Sequence, residues 1–143
     1  MKSCRAGESA GYGRRFRAEQ DTQLGVLPIG YGDGWRRALS NNADVLVGGS
    51  RYPLVGTVSM DNIAIDLGPD ALAGRLRGQA AILIGVQGPE RVTAEEVARR
   101  LDTINYEVTC ALSPRVPRVY ERDGAPIDAT AAQPARPLDT SPA

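Results

Sequence analysis

Val45-Leu46-Val47-Gly48-Gly49-Ser50-Arg51-Tyr52-Pro53-Leu54-Val55 sets two apolar runs on either side of a glycine pair. Valine, leucine and tyrosine fit a pleated, half-buried backbone, and paired glycines supply a tight reversal, so a hairpin is expected here. N-terminal to it, Leu24-Gly25-Val26-Leu27-Pro28-Ile29-Gly30 is a short apolar run stopped by glycine, with Pro28 marking an edge or a strand end. C-terminal to it, Ile63, Ile65 and Leu67 alternate with Ala64 and Asp66, the period of a half-buried strand. Ala80-Ala81-Ile82-Leu83-Ile84 is apolar throughout and short enough for a buried strand, and Val116-Pro117-Arg118-Val119-Tyr120 is expected as a last edge strand. One helix is well marked. Thr93-Ala94-Glu95-Glu96 fits a capping box in which the Thr93 hydroxyl and the Glu96 carboxylate satisfy the first turn. Val97, Leu101 and Ile104 then share a face, with Arg99 and Arg100 pointing away. These elements predict a mainly β domain over residues 1–122, an antiparallel, Greek-key-like β-barrel with one helix at about 93–102. From Asp123 the chain turns to Pro, Ala, Thr and Asp without periodicity, so 123–143 is expected to be a disordered tail.

The chain has 143 residues, enough for one domain with a core, and its charges sum to zero. That balance argues against nucleic acid or an anionic membrane as a partner, because both call for clustered Lys and Arg. No run is long enough to span a bilayer, and no apolar stretch follows the first residues as in a signal peptide, so a cytoplasmic location is expected. Cys4 and Cys110 lack motif spacing and are expected to remain thiols there. Histidine is absent and Lys2 is the one lysine, which removes the commonest general base and metal ligand. Whatever chemistry the chain joins must run on tyrosine, carboxylate, arginine or backbone groups, or on groups from elsewhere, and no metal site is expected.

Four segments bring glycine, aromatic and polar residues together outside helix or strand patterning. They are Gly11-Tyr12-Gly13-Arg14-Arg15-Phe16, Gly30-Tyr31-Gly32-Asp33-Gly34-Trp35, Val58-Ser59-Met60-Asp61-Asn62 and Ile104-Asn105-Tyr106-Glu107-Val108. A tyrosine between glycines has no adjacent side chain to bury it, which suits a phenol projected outward. Taken singly, each segment also reads as a surface turn or a packing residue. The 30–34 segment lacks the Lys-Ser/Thr ending of a phosphate loop.

Taken in order, these stretches resemble the C-terminal domain of the alanine racemase family, pyridoxal-phosphate enzymes that interconvert L- and D-alanine. The matching runs are G-E-S-A-G-Y-G (7–13), L-P-I-G-Y-G-D-G-W (27–35), V-G-T-V-S-M-D (55–61), L-D-T-I-N-Y-E-V (101–108) and S-P-R-V-P-R-V-Y (113–120). The resemblance implies that Tyr12 is the catalytic tyrosine exchanging a proton at one face of the substrate α-carbon. It implies that the Met60 amide helps hold the substrate carboxylate, with Asp61 following in the same loop. Tyr31 would narrow the entrance, and Tyr106 would bind the cofactor phosphate and limit movement of the catalytic tyrosine. In the family's head-to-tail homodimer, Tyr12, Tyr31 and Met60 face the partner subunit's cofactor, whereas Tyr106 faces its own. A phenol that removes protons near neutrality needs a neighbouring cation or hydrogen-bond donor, and Arg14 and Arg15 are the nearest in sequence.

The family's N-terminal (β/α)8 barrel, which carries the Schiff-base lysine serving as cofactor anchor and second base, is not in this sequence, and Lys2 falls in the interdomain segment. The isolated chain is therefore expected to be inactive. Phe16 stands where many members have tyrosine, and Thr57 where many have arginine. The parent reaction would supply D-alanine for cell-wall peptidoglycan. Two alternatives are a non-catalytic, stand-alone interaction module and part of a broader amino-acid racemase.

Overall fold

The computed structural model describes residues 1–69, 73–123 and 125–130. Its strands are β1 (Lys2–Cys4), β2 (Ser9–Ala10), β3 (Phe16–Arg17), β4 (Thr22–Leu27), β5 (Asp44–Val47), β6 (Ser50–Val55), β7 (Ile63–Asp66), β8 (Ala81–Ile82), β9 (Gly85–Gln87), β10 (Glu90–Val92), β11 (Arg118–Arg122) and β12 (Ala125–Thr130). Three helices, α1 (Ala73–Leu76), α2 (Ala94–Leu101) and α3 (Asn105–Cys110), lie among them. The main sheet runs β1-β4-β7-β6-β5-β8, every pair antiparallel. Strands β5, β6 and β7 follow one another, while β4, joined to β5 by a long connection, lies beside β7, the Greek-key arrangement. That connection, residues 28–43, carries Tyr31. Among the described residues no helix is long and apolar enough to cross a membrane.

The 45–55 hairpin forms as expected. Val47 pairs with Ser50, leaving Gly48 and Gly49 as a two-residue loop, and both have positive φ (59° and 79°). Two successive left-handed residues match the twist of the flanking strands, a conformation only glycine adopts cheaply. Pro53 is accommodated because Leu54 N–H donates to the Ala43 carbonyl (2.8 Å). By strand alternation the Pro53 nitrogen, which has no hydrogen to donate, faces away from β5. Val45, Leu46 and Val47 are all buried, so β5 is covered on both faces. They join Trp35, Leu39, Leu54, Val58, Ile63, Ile65, Val92 and Val97 in the main core. At roughly 1.5–3 kcal/mol per buried large apolar side chain, this cluster is the chief driving force for the fold. A smaller cluster of Cys4, Ala18, Leu24 and Val55 sits under the N-terminal segment. Cys4 and Cys110 are free thiols.

The structure departs from expectation in several places. The expected helix forms as α2 and ends where Asp102 adopts a left-handed conformation (φ 55°), but it is joined by α1 and by α3, which begins after extended Ile104. Six residues with one buried member, Val108, carry no readable helical period. Ile104 is consequently exposed rather than part of the α2 face. Thr93 Oγ1 accepts from Glu96 N–H (3.1 Å) as expected, but the Glu96 carboxylate does not close the box. It binds Arg51 (2.6 Å) and Arg100 (3.1 Å) instead, since a guanidinium offers stronger charge-assisted bonds than a backbone amide. Arg100 therefore turns toward β5, where it also pairs with Asp44. Only Ala81 and Ile82 of the 80–84 run form a strand, a half-buried edge on β5, before the chain bends at Gly85 (φ 144°). The last edge strand lies at Arg118–Arg122, two residues later than expected, and pairs with Ala125–Thr130. Its first six residues past Gly124 thus carry strand pairing where a structureless tail was expected; 131–143 lie outside the described residues.

Candidate active site

Four of the five expected site residues converge. An open depression of about 490 Å³ is lined by Tyr12, Tyr31, Arg37, Thr57, Met60 and Asp61, among others. Tyr12 occupies a short 3₁₀ turn between Gly11 (φ 76°) and Gly13 (φ 70°), and its side chain is 73 % exposed. The turn is held from beneath. Thr57 Oγ1 donates to the Tyr12 carbonyl (2.7 Å), and Asn41 Nδ2 donates to the Arg15 carbonyl (3.0 Å). Asn41 Oδ1 also accepts from Gly56 N–H, so one side chain ties the tyrosine turn to the start of the β6–β7 connection. Thr57 is buried and satisfied, and it acts as a backbone strap on the tyrosine turn.

The second wall is built by 30–34. Tyr31 N–H donates to the Ser59 carbonyl (3.0 Å) and Gly32 N–H to the Met60 carbonyl (2.9 Å), stitching this loop to the Met60 loop. Close approach of backbone requires glycine at 30 and 34, while Gly32 makes room for a side chain. A Cβ on Gly30 would lie 2.2 Å from the Ser59 oxygen, one on Gly32 would meet Arg115 at 2.3 Å, and one on Gly34 would lie 2.2 Å from the Ala111 oxygen. Each missing side chain admits a different neighbour. Asp33 then caps its own turn, with Oδ2 accepting from Gly30 N–H (2.9 Å). Tyr31 and Met60 remain 44 % and 52 % exposed. Among the described residues no hydrogen-bond acceptor engages the Met60 N–H, which stays available to a ligand.

Tyr106 does not join this depression. It stands 71 % exposed on the first turn of α3, where Asn105 Nδ2 donates to Glu95 (2.8 Å) and fixes the start of α3 against α2. The Glu95 carboxyl is held below its ordinary value, first by a hydrogen bond from its own backbone amide and then by Asn105 and Thr93. Arg14 lines a separate depression with Lys2, Cys4 and Arg5. The cation lining the Tyr12 depression is Arg37. It comes from the long β4–β5 connection, and nothing in its local sequence marked it. Arg115, a second residue without a local signal, pairs with both Asp33 (3.3 Å) and Asp61 (2.6 Å) and has its basicity raised, chiefly by Asp61.

Fold and site together define a mainly antiparallel β domain that presents tyrosines on an open rim. The chain belongs to the family described as alanine racemase, C-terminal domain, which matches residues 1–120. It is 43 % identical over 120 residues to the alanine racemase of Cutibacterium acnes, covering 84 % of this chain and 32 % of that protein. Against the Shewanella amazonensis alanine racemase it is 51 % identical over 111 residues, 78 % of this chain and 29 % of the relative. Among solved structures, alanine racemase from Bacillus anthracis with bound L-Ala-P aligns with a TM-score of 0.81 at 38 % identity, over 90 % of this chain and 32 % of that one. The E. faecalis alanine racemase aligns with a TM-score of 0.73 at 41 % identity, over 80 % of this chain and 30 % of that one. The chain thus spans about a third of the length of the relatives it matches.

Proposed function

We propose that this chain is the C-terminal part of an alanine racemase and that Tyr12 moves a proton at one face of the amino acid's α-carbon. The observation that carries this reading is that Tyr12, Tyr31 and Met60, all solvent-exposed, open onto one depression in a domain whose relatives are alanine racemases. The site is completed by an N-terminal (β/α)8 barrel domain and by the second subunit of a head-to-tail homodimer. Its work is cytoplasmic supply of D-alanine for peptidoglycan.

The residues present fit accessory contacts to pyridoxal phosphate but not its covalent hold. Exposed phenols and a free amide suit a phosphate and a carboxylate, whereas Lys2 lines a different depression from Tyr12. When bound, the cofactor supplies the electron sink that acidifies the substrate's α-hydrogen. The Tyr12 hydroxyl is both donor and acceptor, so one atom takes a proton and returns it. With its backbone strapped by Thr57, the ring moves only about its own side-chain bonds, which keeps the oxygen within reach of one face. Met60 N–H receives the substrate carboxylate, Tyr31 narrows the opening, and Asp61 supports the Met60 loop. Tyr106 donates to the cofactor phosphate. Its separation from the Tyr12 depression supports a division in which Tyr12 serves the partner subunit and Tyr106 its own.

Mixing the chain with pyridoxal phosphate and alanine, with and without a matching barrel domain, tests this. Turnover and the visible absorbance of lysine-bound cofactor are expected only when the barrel is added. Robust racemisation by the chain alone would overturn the half-site reading.

A further inference from the structure

Three segments distant in sequence meet beside the depression. The 30–34 loop bonds to Ser59 and Met60 through its backbone, and the Ser113 N–H donates to the Asp33 carbonyl (3.0 Å), bringing the 111–116 segment against it. Arg115 closes this junction with its side chain. Its guanidinium Nε reaches Asp33 Oδ1 (3.3 Å), and its Nη2 donates to Asp61 Oδ1 (2.6 Å). The planar, forked donor set of arginine can hold two carboxylates at once in a fixed orientation, which a lysine ammonium does less well. The guanidinium lies over Gly32, where a Cβ would collide with it and crowd the Met60 carbonyl at 3.1 Å. Arg115 itself is oriented from behind, its N–H donating to Ser113 Oγ (3.2 Å).

The two carboxylates sit on the loops that carry Met60 and Tyr31. With Arg115 and Asp61 each about half exposed, their pair contributes little to global stability. What it fixes is direction, because Asp61 follows Met60 and Asp33 lies two residues past Tyr31. We propose that Arg115 is a positioning residue that sets the Met60 amide and the Tyr31 ring relative to each other through Asp61 and Asp33. This rests on the reading that the depression receives the amino acid. Arg115 does not line the depression itself, so its loss is expected to weaken capture of the substrate more than the proton-transfer step.

The test uses Arg115→Ala, Arg115→Lys and Asp61→Asn. In the 143-residue chain, amide hydrogen exchange at Tyr31 and Gly32 is expected to accelerate about tenfold in Arg115→Ala, while amides of the β4–β7 pairing are unchanged. Unchanged β4–β7 exchange also verifies that the variant is folded. In the racemase assembled with a barrel domain, KM for alanine is expected to rise about tenfold with kcat falling less than about threefold. Arg115→Lys should recover part of both effects, and Asp61→Asn should reproduce the KM change. Unaltered exchange at Tyr31 and Gly32 in Arg115→Ala would overturn the proposal, as would accelerated exchange with a wild-type KM. A wild-type assembly without turnover would instead sink the racemase reading, and the exchange data would still decide whether Arg115 holds the loops.

Discussion

Two clusters of arginine and carboxylate organise this domain, and they differ in depth. Around β5, β6 and α2, Arg51 pairs with Asp44, Glu90 and Glu96, and Arg100 with Asp44 and Glu96; the Asp44 and Glu96 side chains are only 19 % and 21 % exposed. Beside the depression, Arg115 pairs at 2.6 Å with Asp61, both 53 % exposed, and more loosely at 3.3 Å with Asp33, whose side chain is 13 % exposed but is already engaged by the Gly30 N–H. The chemistry is the same, but the surroundings differ. Partial burial makes the first cluster costly to break, because any carboxylate left behind has lost water as well as its partner. Water screens the Arg115–Asp61 pair of the second, and Asp33 keeps the Gly30 N–H as a partner without Arg115, so this cluster orients loops with little bearing on whether the domain folds. The two networks therefore separate stability from site geometry.

The largest effect should come from the exposed side, on chemistry alone. In the assembled racemase Tyr12→Phe is expected to lower turnover about a thousandfold, roughly 4 kcal/mol of barrier, while leaving the melting temperature of the domain unchanged. Solvent-deuterium exchange at the α-carbon should be lost from one enantiomer and kept from the other, and full activity in this variant would remove Tyr12 from the mechanism. The reverse pattern is expected for Arg51→Met. Leaving Asp44, Glu90 and Glu96 without their shared cation should cost about 2 kcal/mol and lower the melting temperature by about 8 °C. An unchanged melting curve would mean the two clusters do not differ as described.

Thr57→Val lies between the regions, since it removes the strap on the Tyr12 carbonyl without changing side-chain volume much. About 1 kcal/mol of stability and a severalfold loss of turnover are expected, with recovery in Thr57→Ser, measured by denaturant titration and steady-state assay. The smaller effect is one of pH. Burial pushes the Glu96 carboxyl up, but hydrogen bonds and charge from Arg51 and Arg100 outweigh it and hold the group below its ordinary value of 4.5. A carboxyl depressed in the folded state contributes stability that is present above the unfolded value and lost as pH falls through the folded one. The advantage of wild type over Glu96→Gln should therefore be full at pH 7 and shrink below about 4.5, amounting to about 1 kcal/mol at most. Smallest of all, Asp61→Asn should alter global stability by less than about 0.5 kcal/mol, as chemical denaturation would check.

Local pattern made the hairpin legible, because a glycine pair between Val47 and Ser50 admits one tight turn geometry. It also made β7 and α2 legible through the spacing of Ile63 and Ile65 and the Thr93 cap. The residue order of the tyrosine and methionine segments brought out Tyr12, Tyr31 and Met60. What stayed hidden depends on residues far apart in the chain. Glu96 looked like half of a capping box because Arg51, the stronger partner, lies 45 positions away. Arg37 and Arg115 went unmarked for the same reason, as no periodicity announces a side chain that reaches across a loop junction. α3 was too short to show a period at all.

The glycines at 30, 32 and 34 have a consequence for how this domain can change over generations. At 30 and 34 the gap left by a missing methyl is filled by backbone of another segment, so even alanine there would push two stretches of chain apart, whereas at 32 the nearest group is the movable end of Arg115. A library of random variants should therefore be emptied of substitutions at 30 and 34 and thinned less at 32. Gly74 in α1 has open space around its Cβ direction, and alanine there should be welcomed as the better helix former. The rim around Tyr12 can thus vary by exchanging the side chains that line it, while the strip of backbone behind it is held close to immutable.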